Sequence, residues 1–224
     1  EALQPDAGTN AADTRADVSG TPGASGRAVP TVPRSGGAGG IEAFHFGPRE
    51  RSLLGLYHAP AAPARACVLL CPPLLHEQMR SYRFFAGIAE RLAARGLACL
   101  RFDYHGSGDA PGPSSAYSPA HAAEELALAA DALRRRAGPV PLVVMGIRAS
   151  AMPARACAAA LGASALWLWQ PVLDPEAWLH SVEALDAKER HSPERYPFTR
   201  AGPPREVNEL MGLELAPAFR EELL

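Results

Sequence analysis

The pentapeptide Gly146–Ser150, which reads Gly-Ile-Arg-Ala-Ser, has the spacing of a catalytic turn. In a nucleophile elbow, of pattern G-x-S-x-G, a strand meets a helix and the central residue presents a nucleophile to an acyl carbon. Gly146 and Ala149 are small enough for that close approach, and Ser150 replaces the second glycine. The central position is Arg148. Because a guanidinium stays protonated, it cannot attack a carbonyl, and acyl-enzyme chemistry is excluded at this residue.

Three interpretations of Arg148 remain open. In the first, the guanidinium binds an anionic substrate, such as a carboxylate or a phosphate, through a bidentate pair of hydrogen bonds, and catalysis uses water or another group. In the second, the protein has lost catalysis and has retained binding. In the third, Arg148 is a structural residue that pairs with a carboxylate such as Asp103 or Asp174.

Two serines near the predicted strand ends are weaker candidates for a nucleophile. Ser150 lies two residues into the helix, so its side chain points away from Arg148. Ser107 lies in the segment Asp103–Asp109 with no base beside it. The two glycines of this segment suggest a phosphate-binding loop, but Pro111 stands where G-x-G-x-x-G needs its third glycine. We therefore favour tight-turn glycines and structural serines here.

The histidines do not indicate a metal site. No pair among the seven has metal-ligand spacing with carboxylates nearby, and no cofactor motif is present, so we predict neither a metal nor a cofactor. His76 and Glu77 follow a predicted strand and are candidate substrate-binding residues. His105 lies in the Asp103–Asp109 turn, where a structural role is expected. A hydrogen-bonded or solvent-facing side chain is the simpler interpretation of His76 and His105.

The elements that must position these residues alternate between strands and helices. Strands are predicted at 44–46, 53–57, 67–71, 97–102, 141–145 and 165–170, and helices at 82–95, 119–137, 149–161 and 178–188. The apolar run Cys67–Cys71 is typical of a strand buried on both faces. The alternation predicts an α/β fold, with a mostly parallel sheet and helices on both faces. Functional residues are then expected at the carboxyl ends of the strands, at 72–77, 103–109, 146–150 and 171–174.

The order of these motifs resembles the α/β-hydrolase superfamily, in its serine-aminopeptidase-like or esterase-like branch. The resemblance covers about residues 41–175 and rests on the turn Asp103–Gly108, the elbow Gly146–Ser150 and the segment Gln170–Asp174. Three features look most like the hydrolases encoded beside exosortase systems in bacteria that export polysaccharide. They are the segment Cys71–Glu77, the arginine of the elbow and the segment Gln170–Asp174.

The resemblance implies an acyl or ester-type substrate and an oxyanion hole. One N–H donor would come from the backbone near Leu74 or Leu75, and the other from Ala149, at the positive end of the next helix. In the superfamily the acid and the histidine of the triad follow the elbow. Here the residues that follow it include Asp174, His180, Asp186 and His191. Because residues 175–224 contain no two clear buried strands, we expect a sheet truncated at its C-terminal end, with an unprotected edge strand.

Composition narrows the class of protein further. Apolar residues make up 47% of the chain and charged residues 21%, a balance typical of globular proteins. The net charge of −2 provides no basic excess for a nucleic-acid backbone, and no apolar run is long enough for a membrane span. We expect a small-molecule acyl or anionic substrate. Four cysteines without a C-x-x-C pair indicate a reducing compartment, and we expect a cytoplasmic protein.

The chain divides into two parts by composition. Residues 1–40 are rich in Gly, Ala, Pro, Ser and Thr and contain no aromatic residue, which predicts a disordered tail. Residues 41–224 form the predicted hydrolase-like domain. Its core is expected at 41–175, followed by a lid-like or irregular segment at 176–224.

Overall fold

The computed structural model of the chain describes residues 39–192 and 208–224. Its strands are β1 (Ile41–Phe46), β2 (Leu53–His58), β3 (Ala66–Cys71), β4 (Leu97–Asp103), β5 (Leu142–Ile147), β6 (Ala165–Trp169), β7 (Glu209–Leu210) and β8 (Leu213–Glu214). Its helices are α1 (His76–Ala94), α2 (Ala122–Ala137), α3 (Ala151–Cys157), α4 (Pro175–Arg190) and α5 (Phe219–Leu223). Nearly all of the predicted disordered tail lies outside the described residues, as does the segment 193–207.

The first six strands form one sheet in the order β1-β2-β4-β3-β5-β6. Strand β3 lies between β4 and β5 and is parallel to both, and β5 is parallel to β6. Strand β2 runs antiparallel to β4 and to β1. The carboxyl ends of β3, β4, β5 and β6 therefore share one edge of the sheet. The predicted mostly parallel sheet is confirmed.

Helices cover both faces of this sheet, as predicted. Successive residues of β3 point to opposite faces, because side chains alternate along a strand. Leu69, which is fully buried, belongs to the cluster that includes Leu126 of α2 and Ala154 of α3. Leu70 belongs to a second cluster, with Phe85 of α1. Burial on both faces explains why the sequence of β3 is apolar throughout.

Helix α1 begins at His76, well before the predicted start at Tyr82. Leu75 precedes the helix with φ of 55°, a left-handed conformation that turns the chain from the end of β3 into the helix. The first turn of α1 carries polar residues, so its helical pattern was not visible in the sequence. His76 and Glu77, which were expected in a loop after β3, therefore lie on the first turn of α1.

Helix α3 is shorter than its sequence pattern predicts. It spans Ala151–Cys157 rather than residues 149–161, and the single 3₁₀ turn Arg148–Ser150 connects it to β5. Pro153 lies in the first turn of α3, where a backbone N–H has no partner within the helix. This proline therefore does not break the helix.

Asp174 caps α4, because its carboxylate accepts a hydrogen bond from the N–H of Ala177 at 2.9 Å.

The last described segments pack beside the loop that follows β4. Strands β7 and β8 form an antiparallel hairpin. After the hairpin, Phe219 of α5 is fully buried, and its ring lies 6.1 Å from the ring of Tyr117. The lid-like role of residues 176–224 stays a prediction.

Strand β6 is the last strand of the sheet in the described part of the chain, where it pairs with β5 alone. Leu166 and Trp167 on this strand are 36% and 42% exposed. Over the described residues, the outer edge of β6 thus has no neighbouring strand, as expected from the sequence. No helix among the same residues has the length and hydrophobicity of a membrane span.

Candidate functional site

The elbow predicted at Gly146–Ser150 is present in the fold. Strand β5 ends at Ile147, Arg148 follows with φ of 53°, and α3 begins directly after the turn. A Cβ atom on Gly146 would lie 2.8 Å from the Cα of Ala151 and 2.8 Å from the Cβ of Ala154, too close for any side chain. The glycine therefore permits the close approach of β5 and α3 that forces the sharp turn.

The guanidinium of Arg148 forms an ion pair with Glu77 at the start of α1. Its Nε lies 3.1 Å and 3.2 Å from the two carboxylate oxygens, and Nη2 lies 2.9 Å from Oε1. Nη1 donates to the backbone carbonyl of Gln170, just after β6, at 3.2 Å. Arg148 thus connects the regions that follow β3, β5 and β6. Charge-assisted hydrogen bonds in this planar, forked geometry are among the strongest available to a side chain.

This pairing corrects the structural interpretation made from sequence, which named Asp103 or Asp174 as the partner. Asp103 instead accepts hydrogen bonds from Gln78 Nε2 at 2.7 Å and from the N–H of Asp109 at 3.0 Å. Asp174 caps α4. The sequence could not identify Glu77 as the partner, because α1 was predicted to start several residues later and Glu77 had no fixed direction.

His76 adjoins this ion pair without taking part in it. The residue is 7% exposed, and its Nδ1 has no hydrogen-bond partner in the described part of the chain. Burial lowers the pKa of the imidazole, which favours its neutral form. Its role, and that of Glu77, in substrate binding stays a prediction.

The candidate oxyanion-hole residues Leu74 and Ala149 are both buried, at 5% and 0% exposure. Ala149 follows Arg148 in the elbow, and Leu74 lies in the segment between β3 and α1. Leu75, the other residue considered at this position, has the left-handed φ described above. The role of their N–H groups as oxyanion donors stays a prediction.

Neither of the alternative serines has a free hydroxyl. Ser150 is fully buried and donates to the carbonyl of Pro72 at 2.5 Å, while the hydroxyl of Tyr104 donates to Ser150 Oγ at 3.2 Å. Ser107 donates to the carbonyl of Tyr104 at 3.0 Å. Both side chains hold the loops at the carboxyl ends of the strands, which supports the structural interpretation of each.

The turn Asp103–Asp109 is held by close contacts that explain its glycines. A Cβ on Gly108, whose φ is 54°, would lie 2.5 Å from Oδ2 of Asp103. A Cβ on Gly106 would lie 2.5 Å from the carbonyl oxygen of Pro113. Nδ1 of His105 lies 3.3 Å from the carbonyl of Ser52, consistent with its expected structural role. The chain continues as a loop rather than a helix after this turn, unlike a dinucleotide-binding motif.

A cavity of about 540 Å³ lies between the first turns of α1, the loop after β4 and strand β8. Leu74 and Leu75 line it, whereas Arg148 and Ala149 do not. This cavity was not predicted from the sequence, because two of its walls have no signal there. The early start of α1 and the hairpin β7–β8 create them. Among the described residues, no group of three or more His, Cys, Asp or Glu side chains could hold a metal ion.

No protein-family model and no curated protein matches the chain. Solved structures do match its fold. A hypothetical protein from Pseudomonas aeruginosa superposes with a TM-score of 0.53 at 19% identity, over 84% of this chain and 72% of that one. A cold-adapted esterase from an Arctic intertidal metagenomic library, in its PEG-bound complex, gives 0.51 at 18% identity, over 69% and 70%.

An α/β serine hydrolase homologue from Coxiella burnetii gives a TM-score of 0.51 at 17% identity, over 63% of this chain and 68% of that one. These identities are low, so the similarity concerns the fold and not the activity. The order of strands in the sheet and the elbow between β5 and α3 agree with it. The described chain therefore has the α/β-hydrolase fold.

Proposed function

We propose that the protein is a hydrolase-type protein that recognises a small acyl or ester-type molecule. The observation that carries the proposal is the elbow, in which Arg148 keeps the left-handed φ of a nucleophile position at the end of β5. In this fold, the elbow and the segment after β3 face the reacting carbonyl. The backbone N–H groups of Ala149 and Leu74 would then bind its oxygen.

The cellular setting that we propose is the cytoplasm of a bacterium with an exosortase system. This part of the proposal is supported by the sequence resemblance in Cys71–Glu77, in the elbow and in Gln170–Asp174. The hydrogen bonds of Arg148 add a physical reason for these three segments to occur together. Arg148 of the elbow contacts Glu77 of the first segment and the carbonyl of Gln170 in the third.

Turnover at this elbow would proceed without an acyl-enzyme. The guanidinium is not a nucleophile, and its donors are already directed to Glu77 and to the carbonyl of Gln170. Water is the nucleophile that remains for hydrolysis. Arg148 then acts as a positioning residue, since it fixes the elbow against α1 and against the end of β6.

A second function is binding without turnover, which fits an elbow whose central side chain is not a nucleophile and is held within the fold. Glu77 neutralises the charge of Arg148, and the side chains of these residues are 19% and 35% exposed, respectively. If Arg148 bound an anionic substrate, the N–H donors of its guanidinium would be expected to have no partner within the protein. The closed pair therefore supports the structural interpretation of Arg148 over the anion-binding one.

Hydrolysis of p-nitrophenyl butyrate tests both functions. The proposal expects steady release of nitrophenolate without an initial burst, and no labelling of the protein by a fluorophosphonate probe, which reacts with activated serines. Labelling of Ser107 or Ser150 would contradict the assignment of structural roles to these hydroxyls. Absence of turnover together with binding of the corresponding uncleavable ether would select the binding function. Absence of both would reject acyl recognition.

Variants of the ion pair separate positioning from chemistry. Arg148→Ala and Glu77→Gln should change turnover or ether binding by similar factors, because each breaks the same pair. Arg190→Ala, which breaks the ion pairs of Arg190 with Asp186 and Glu209 away from the elbow, is the control and should leave both measurements unchanged. A gain of fluorophosphonate labelling in Arg148→Ser would show that the surrounding site can still activate a nucleophile.

A further inference from the structure

The cavity beside α1 has apolar residues at its base. Leu74, Leu75, Tyr117 and Leu215 line it, and each of these residues is less than a tenth exposed. The volume of about 540 Å³ falls within the range of small-molecule sites. A base of this composition suits an apolar group, because burying that group removes its surface from water.

The walls of the cavity carry charges of opposite sign. Arg80 and Arg83 line it from α1. Asp109, from the loop after β4, and Glu214, from β8, line it from other elements. All four residues are exposed, and none of the four forms an ion pair within the described part of the chain. The charges thus remain available to a ligand that lies between them.

The wall formed by β8 is held in place by contacts of the segment that follows it. Phe219, which follows the hairpin, is fully buried against Tyr117. The carboxylate of Glu222 accepts hydrogen bonds from the hydroxyl of Ser118 at 2.5 Å and from the N–H of Ala120 at 3.3 Å. These contacts attach the last described segment to the loop after β4, so two walls of the cavity are fixed to each other.

We propose that this cavity binds a small zwitterionic amphiphile. Its anionic group would lie against Arg80 and Arg83, its cationic group against Asp109 and Glu214, and its apolar tail over the leucines of the base. The site adjoins the elbow site at Leu74, which lines the cavity, but neither Arg148 nor Ala149 lines it. Recognition of the head group uses none of the elbow residues, so binding can be tested whether or not the elbow supports turnover.

Four octyl compounds with different head groups test this proposal by isothermal titration below their micelle concentrations. Octyl sulfobetaine carries both charges, octyl sulfate and octyltrimethylammonium carry one each, and octyl glucoside carries none. We expect the sulfobetaine to bind at least about tenfold more tightly than each of the others, a difference of about 1.4 kcal/mol. Equal binding of octyl glucoside would overturn the proposal, as would absence of sulfobetaine binding at millimolar concentration.

Single charge-removing variants identify which wall recognises which charge. Arg83→Gln should reduce the preference for the sulfobetaine over octyltrimethylammonium, because only Arg80 then remains to pair with the anionic group. Asp109→Asn should reduce the preference over octyl sulfate, because Glu214 alone then faces the cationic group. Arg91→Gln is the matched control, since Arg91 is exposed on the same helix but does not line the cavity. An equal loss in Arg91→Gln would attribute the effect to net charge and overturn the site.

Discussion

The elbow and the cavity beside α1 differ in whether their charged side chains form ion pairs. At the elbow, Arg148 is fully engaged by Glu77 and by a backbone carbonyl, and the apolar neighbours are close-packed. In the cavity, Arg83 and Asp109 have no ion-pair partner among the described residues, and open space separates the walls. The difference suggests that the charge of the elbow serves the fold, whereas the charges of the cavity are available for recognition.

The largest effect is expected from breaking the packing under the elbow. Gly146→Val would place side-chain atoms against the backbone of Ala151, where even a Cβ lies only 2.8 Å away. Overpacking of this kind lowers the free energy of unfolding by about 3 kcal/mol. Urea denaturation measures the loss.

A second glycine provides the control for this substitution. A Cβ on Gly87, in the middle of α1, would meet no atom within 4 Å. Gly87→Ala is expected to raise the free energy of unfolding by up to about 1 kcal/mol, because alanine has the higher helix propensity. Equal losses in both variants would show that the contact at Gly146 does not control the stability of the elbow.

Acid should weaken the wall of the cavity through a buried histidine. Tyr82 of this wall stacks on Arg101, whose Nε donates to Nε2 of His58 at 3.2 Å. His58 is 2% exposed, and burial, followed by the charge of Arg101, lowers its pKa from 6.5 to about 4. The folded protein therefore binds fewer protons than the unfolded chain between these values, and stability falls as the pH decreases from 6.5 to 4.

Between pH 6.5 and 4, protonation linked to His58 lowers the free energy of unfolding by about 3 kcal/mol. His58→Gln, whose side-chain oxygen can still accept from Arg101, should remove that part of the pH dependence in thermal unfolding experiments. The buried carboxyls of Asp103 and Glu125, whose pKa values are raised by burial, contribute with the opposite sign in both proteins and cancel in the difference. His45→Gln, at an exposed site, should keep the parental profile.

Sequence periodicity predicted the sheet better than it predicted the sites. The apolar runs of β3 and β5 marked buried strands, and Gly146 marked the elbow, because burial and close packing restrict which residues can occur. The left-handed turn at Leu75 has no such signal, since it contains no glycine. Because that turn was not predicted, neither the contact of Glu77 with Arg148 nor the wall that α1 gives to the cavity could be predicted from the sequence.

A double-mutant cycle on Arg148 and Glu77 measures how much the elbow gains from its ion pair. The pair is partly exposed, so we expect a coupling free energy of about 1 kcal/mol between Arg148→Met and Glu77→Gln. The pair Arg190–Asp186, whose positions are four residues apart on α4, should give about 0.4 kcal/mol. A coupling of zero at the elbow would show that the ion pair does not stabilise it and would contradict the structural interpretation of Arg148.

The smallest effect is expected from the free charges of the cavity. Arg83→Gln removes a side chain with no ion pair in the described part of the chain, so the free energy of unfolding should change by less than about 0.5 kcal/mol. Urea denaturation of Arg83→Gln and Arg148→Gln in parallel makes the comparison direct, since both changes remove one positive charge. If Arg83→Gln lost as much stability as Arg148→Gln, the cavity wall would depend on its arginine for folding. The charges of the two regions would then both serve the fold, and the distinction between them would fail.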